Sequence, residues 1–267
     1  MDGKRKRVRL SRARKLTCDV IQFALNIPLG AAQATFDLSE LAEVRNQIRP
    51  KLSWNVIFMK AYSQLGEQWP QLKQRIVTFP WPHLYQHDRN VCQIAIGREE
   101  QGEDILLFAR FESPEKYPLS HLQQRLVYFR DTPINEVRQF RHQLRFAGCP
   151  WPLRKLGWWI MSNLWVSKRA SYMGTFGMSL SGFGNISFAS NHLGPNTTIL
   201  GVDVVARGGQ SRVLLTFDHR VLDGKPVMDI IKDLERNLNG PVLAEMRQIA
   251  AAQTQESIPL TQLRRAA

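Results

Sequence analysis

Thr216-Phe217-Asp218-His219-Arg220-Val221-Leu222-Asp223-Gly224 sets one histidine just past a strand and an aspartate four residues later in a tight turn. Before it, Val213, Leu215 and Phe217 alternate with Arg212, Leu214 and Thr216, the period of a strand in a packed sheet. After it, Val227, Ile230, Ile231, Leu234 and Leu238 recur at the spacing of one helix face, with Pro226 suited to the first turn and Gly240 to the stop. His219 is therefore predicted in a strand-to-helix loop, where rigid elements hold both sides of a side chain free to face a cavity.

Acyl transfer suits such a histidine. A thiol or alcohol is a poor nucleophile at neutral pH, and an imidazole near its ordinary pKa can take the proton as the acyl carbonyl is attacked. The acyl group passes directly between two bound substrates, so no enzyme nucleophile is required. The tetrahedral oxyanion still needs a donor, whose loss costs about 3–4 kcal/mol of barrier in comparable sites. Asp223 would hold the loop by pairing with an arginine. An isolated His-x-x-x-Asp-Gly match is more often a surface histidine beside a turn, so the remaining chain has to decide.

Four further blocks occur in order. They are Leu10-Ser11-Arg12-Ala13-Arg14-Lys15; Ala34 to Leu41; Asn90 to Gly97 with Ile105 to Phe108 and the helix after Pro118; and Gly174 to Ser179, followed by Gly194-Pro195 and Ile199 to Val202. Together with DHRVLDG they resemble the catalytic domain of the dihydrolipoamide acyltransferases of 2-oxoacid dehydrogenase complexes, whose fold is shared with chloramphenicol acetyltransferase. The resemblance implies an α+β fold, a two-layer mixed sheet with packed helices. It implies transfer of an acyl group between coenzyme A, bound as a substrate, and a thiol or hydroxyl acceptor. It also implies a homotrimer with its active sites between subunits.

Residue by residue, His219 matches the family's base and Asp223 its loop aspartate, with Arg14 the candidate for the arginine that holds it. Ser179 matches the oxyanion donor. Ser181 stays open as the alternative, because Ser-Leu-Ser-Gly departs from the usual Ser-Asn-Leu-Gly. Ser179 and His219 would face each other across the interface. The family's lipoyl and subunit-binding modules have no counterpart in the sequence, so no covalently attached lipoyl group is expected on this chain.

A chain of 267 residues with 43% hydrophobic residues can bury one large core, and no Pro- or Gly-rich linker divides it. The expected organisation is a basic arm over residues 1–8 and a catalytic-like domain over 9–267. Cys18, Cys92 and Cys149 lie far apart without ligand spacing, which points to a reducing, cytoplasmic setting. His83, His87, His121, His142 and His192 make no ligand set, so no metal is expected, and His83, His87 and His192 are read as loop residues. There is no GxGxxG or Walker-type loop, which argues against hydride transfer and nucleotide hydrolysis.

The formal charge of +13 is concentrated in two segments: Met1 to Lys15 carries +7 and Thr132 to Ala170 carries +6. The second interleaves Arg138, Arg141, Arg145, Arg154, Lys155, Lys168 and Arg169 with Trp151, Trp158, Trp159 and Trp165. It reads as an insertion over about residues 133–170, two helices broken at Gly148-Cys149-Pro150. Leu153, Leu156, Trp159, Ile160 and Leu164 share one helical face, whose commonest meaning is core or subunit packing. The alternatives are contact with an anionic membrane surface and a catalytically inactive trimeric scaffold; nucleic acid is the least favoured partner.

Overall fold

A computed structural model describes residues 10–100, 102–181, 193–203 and 208–256. The arm over 1–8 and His192 lie outside the described residues. Six strands form one mixed sheet: β1 (Leu29–Asp37), β4 (Val91–Glu100), β5 (Glu103–Glu112), β6 (Phe176–Ser181), β7 (Thr198–Asp203) and β8 (Gln210–Asp218). Their spatial order is β1-β8-β7-β6-β4-β5, with β6 parallel to both neighbours and the other pairs antiparallel. A separate hairpin joins β2 (Gln74–Val77) to β3 (His83–Gln86). The architecture is α+β, as expected.

Alternation assigns the two faces of the sheet. Phe36, Ile94, Leu107, Met178, Leu200, Val213, Leu215 and Phe217 enter one core with α2 (Ser39–Gln47), α3 (Trp54–Gln68), α4 (Leu119–Asp131), α8 (Gly224–Asn237) and α9 (Leu243–Glu256). The central helix α3 starts at Ser53, whose side chain accepts from the Asn55 amide. Its Tyr62 packs tilted against Phe176 with ring centres 4.8 Å apart and donates to Thr198 Oγ1 at 2.9 Å, tying helix to sheet. Gly30 lies opposite Phe217 in the ladder, and a Cβ there would come within 2.2 Å of the Phe217 ring. The missing side chain lets the end of β8 close against β1.

The opposite face is partly covered by α1 (Arg12–Ala24) and α7 (Val166–Met173), α5 (Arg138–Gly148) lies along the β5 edge with Phe140 and Leu144 in the core, and α6 (Trp151–Asn163) packs on α1 and α7. The edge strand β5 is covered by α5 through two glutamines one turn apart. Gln143 accepts from Phe108 N and donates to Phe108 O, and Gln139 does the same with Arg110. The helix stands in for the strand that this edge lacks.

Several expectations change. The helix does not stop at Gly240: a π turn over Leu238–Val242 carries it into α9, with Leu238 and Val242 anchored in the core. His83 opens β3 instead of lying in a loop, whereas His87 lies in the connection after that strand, as expected, and is buried. The insertion forms three helices, not two. Its apolar stripe is not core: Leu153, Leu156, Trp159 and Leu164 are exposed, while α6 buries Arg154 and Ser162. The reason is Asp19 on α1, which receives a two-pronged pair from Arg154 Nε (2.6 Å) and Nη2 (3.0 Å) and turns the polar side of α6 inward.

Candidate active site

Asp218, the last residue of β8, shapes the loop that follows. Its amide donates to Thr197 O, its carbonyl accepts from the amides of Val221 and Leu222, and its carboxylate accepts from the amide of Arg220. The Arg220 guanidinium closes on the same buried carboxylate, Nε to Oδ1 at 2.9 Å and Nη2 to Oδ2 at 2.7 Å. Burying Leu222 then forces the turn, and α8 begins after Asp223.

His219 is carried outward on this frame. Its amide donates to Pro28 O at 2.9 Å, its ring leans on Phe217 at 5.5 Å, and 52% of its side chain is exposed. Nδ1 lies 3.5 Å from Asp223 Oδ1, the carboxylate itself being 84% exposed. A proton on Nδ1 directed at Asp223 leaves Nε2 free to accept one.

Behind the loop is a charged layer that the sequence did not reveal. Partly buried Arg75 donates from Nη1 to Pro195 O at 3.0 Å; burial holds its pKa down to about 9, with Asp218 opposing the shift and Arg220 adding to it. His87 is 4% exposed, and burial, then the charge of Arg75, pull its pKa down to about 4, so it is neutral near pH 7. The visible signal was Asp218 and Arg220 flanking His219. Nothing local marked Arg75 or His87.

Ser179 sits mid-strand in β6 on the face away from the helical core, as the alternation of Phe176, Met178 and Leu180 toward that core requires. It lines a mostly apolar cleft of about 290 Å³ between α1 and the sheet, with Val20, Ile21, Ala95, Phe108 and Ile199 as walls and Gln93 and Asn196 as polar groups. Gly177 beside it allows the Asn196 amide and Ile199 to approach: a Cβ would meet them at 3.1 and 3.0 Å. Ser181 ends the same strand.

Within one chain Ser179 and His219 are not together. Ser179 pairs with Gly201 and Gly201 with Leu214, two strands across and five residues short of His219, which places the two about 19 Å apart at ordinary strand spacings. Arg14 is not brought to Asp223 either. It borders a hollow with Glu103 and Asp104 at the start of β5, four strands from β8. The arginine that clamps the loop is Arg220, on Asp218.

Among the described residues no group of three or more His, Cys, Asp or Glu could hold a metal. Cys92 is buried, which raises its thiol pKa, and the exposed Cys18 and part-exposed Cys149 are unpaired with each other.

Sheet order, helical layer and the strand-to-helix histidine loop give the chain a chloramphenicol-acetyltransferase-like fold. The chain is similar to the catalytic core of the 2-oxoacid dehydrogenase multienzyme complex of Thermoplasma acidophilum (TM-score 0.63, 14% identity, covering 89% of this chain and 99% of that one). It is similar to the dihydrolipoamide acetyltransferase of Azotobacter vinelandii (0.62, 18%, 93% and 95%), a structure concerned with one serine, one histidine and one asparagine in the catalytic mechanism. Chloramphenicol acetyltransferase also matches (0.50, 13%, 86% and 96%). At these identities the likeness establishes the fold. No protein-family model and no curated protein matches the sequence.

Proposed function

We propose that the protein moves an acyl group between coenzyme A and a thiol or hydroxyl acceptor, on a homotrimer in which His219 of one protomer meets Ser179 of its neighbour. The observation that carries this reading is His219 itself, a half-exposed imidazole held at both ends by rigid elements and oriented through Nδ1 by Asp223. The separation of Ser179 from His219 within one chain supports the trimer, because a neighbouring copy is what could bring a hydroxyl to the imidazole. The histidine and polar residue studied in the Azotobacter enzyme have the spacing of His219 and Asp223.

His219 Nε2 removes the acceptor proton as its sulfur or oxygen attacks the thioester carbonyl. Ser179 Oγ–H of the neighbour donates to the oxyanion, Ser181 being the alternative donor. Collapse expels the coenzyme A thiolate, which takes the proton from the imidazolium. Asp223 steadies that cation, and Asp218 with Arg220 keeps the loop in register. The apolar walls around Ser179 select an apolar acyl or acceptor group.

The test combines thermal unfolding with turnover. An acyl-CoA that binds the native state raises Tm in proportion to its affinity, and His219→Ala is expected to keep that rise while losing about 10²–10⁴-fold in transfer rate. Unchanged turnover in the variant would refute the assignment, as would a panel of acyl-CoAs none of which shifts Tm.

A further inference from the structure

The outward face of α6 and the tip of the β2–β3 hairpin form one surface. Phe79 packs edge-on against Trp159 at 5.3 Å, and Thr78 Oγ1 donates to Asn163 Oδ1 at 3.0 Å. Around this junction Trp81, Leu84, Trp151, Leu153, Leu156 and Trp165 are all exposed, Trp81 by 71%. Soluble surfaces scatter such residues singly; a cluster marks a site of contact.

The charge of the patch says what it contacts. From Val137 through Val202 the sequence has no Asp or Glu and seven Lys or Arg. The hairpin tip from Thr78 to Gln86 is uncharged apart from His83. The carboxylate that borders the surface, Asp19, is neutralised by Arg154. Lys155 and Lys168 are exposed with no carboxylate within 4 Å among the described residues, and the Lys155 ammonium lies 5.2 Å from the Trp151 ring centre, its stem along the apolar surface. Between α1 and α6 the patch encloses a hollow of about 430 Å³ where Lys155, Gln22, Asn26 and Asn163 meet Trp151 and Trp158. A second copy of a chain with net charge +13 would bring like charges together here. No helix among the described residues is long and apolar enough to cross a membrane, so the surface can lie on a bilayer but these helices do not span one.

We propose that this patch docks the protein on an anionic lipid surface, with the tryptophans at headgroup depth and Lys155 and Lys168 over lipid phosphates. The proposal rests on the patch alone and is independent of the catalytic reading.

Full-length protein is sedimented with vesicles of phosphatidylcholine and of phosphatidylcholine with equal phosphatidylglycerol. Binding is expected to the second kind and to weaken in high salt. Trp81→Ser/Trp151→Ser/Trp165→Ser and Lys155→Glu/Lys168→Glu are each expected to lower the partition coefficient about tenfold at unchanged Tm. All five side chains are exposed, so folding is not at stake. Absence of binding to the anionic vesicles overturns the proposal. So does equal binding by both variants, which would assign attraction to the basic N-terminal segment, and so does a fall in oligomer mass in the tryptophan variant, which would make the patch a contact between copies.

Discussion

Mixing two inactive variants tests the shared site directly. His219→Ala removes the base, a loss of about 10²–10⁴-fold, and Ser179→Ala removes an oxyanion donor, about 10²–10³-fold. If His219 of one protomer works with Ser179 of the next, a site is whole when a Ser179→Ala protomer supplies the histidine and a His219→Ala protomer the serine. In a cyclic trimer that contains both kinds of protomer, one of the three junctions joins an intact histidine to an intact serine, so about one third of the sites are competent. The mixture, co-expressed with two tags and purified through both, is expected to regain tens to hundreds of times the activity of either parent. The assay is release of free coenzyme A thiol. Recovery no greater than the sum of the parents, in a mixture shown to contain mixed oligomers, would refute the shared site and require Ser179 to act elsewhere.

His87 predicts an acid-sensitive stability. Its folded pKa of about 4 lies below the ordinary value near 6.5, so between those pH values the unfolded chain binds the extra proton and stability falls with pH, by about 3 kcal/mol across the window; urea midpoints that fall equally in wild type and His87→Gln would remove His87 as the cause. Asp218→Asn leaves Arg220 and Arg75 facing an uncharged amide, and is expected to cost about 2–3 kcal/mol, at the low end for a broken buried pair because Arg220 is one-third exposed. A loss under about 0.5 kcal/mol by the same denaturation assay would mean that the loop is held by its backbone bonds and Leu222 alone.

Periodicity made most of the scaffold legible. The β8 alternation and the α8 face are local signals, and each produced the expected element. The apolar stripe of α6 was read correctly as a stripe, and of its two expected meanings, core or subunit packing, the core one fails because its orientation is set by Asp19, 135 residues from Arg154. No pattern within the helix contains that information. The same limit applies at the site. His219, Asp223 and Ser179 were visible by type and spacing, whereas Arg75 reaches the loop from a hairpin more than a hundred residues upstream and is known only once the sheet is closed. The arginine expectation has a local answer: Arg220, two residues from Asp218, clamps the loop on that carboxylate, and Arg14 lies at the start of β5, away from Asp223.

The two carboxylates beside His219 divide their work by environment. Asp218 is buried and held in two-pronged geometry, so its pairing is a stability term. Asp223 lies exposed at 3.5 Å from Nδ1, where water screens it and an open pair contributes about 0–1 kcal/mol. Its value to the chemistry therefore depends on what excludes the water. A neighbouring protomer closing over His219 would lower the local dielectric, and the same charge separation would then stabilise an imidazolium several times more strongly. In a lone subunit His219 is an ordinary surface imidazole with a weak orienting partner. On the proposed shared site, reaction and assembly are one requirement: dilution that dissociates the oligomer should abolish transfer even though every site residue keeps its place in its own chain.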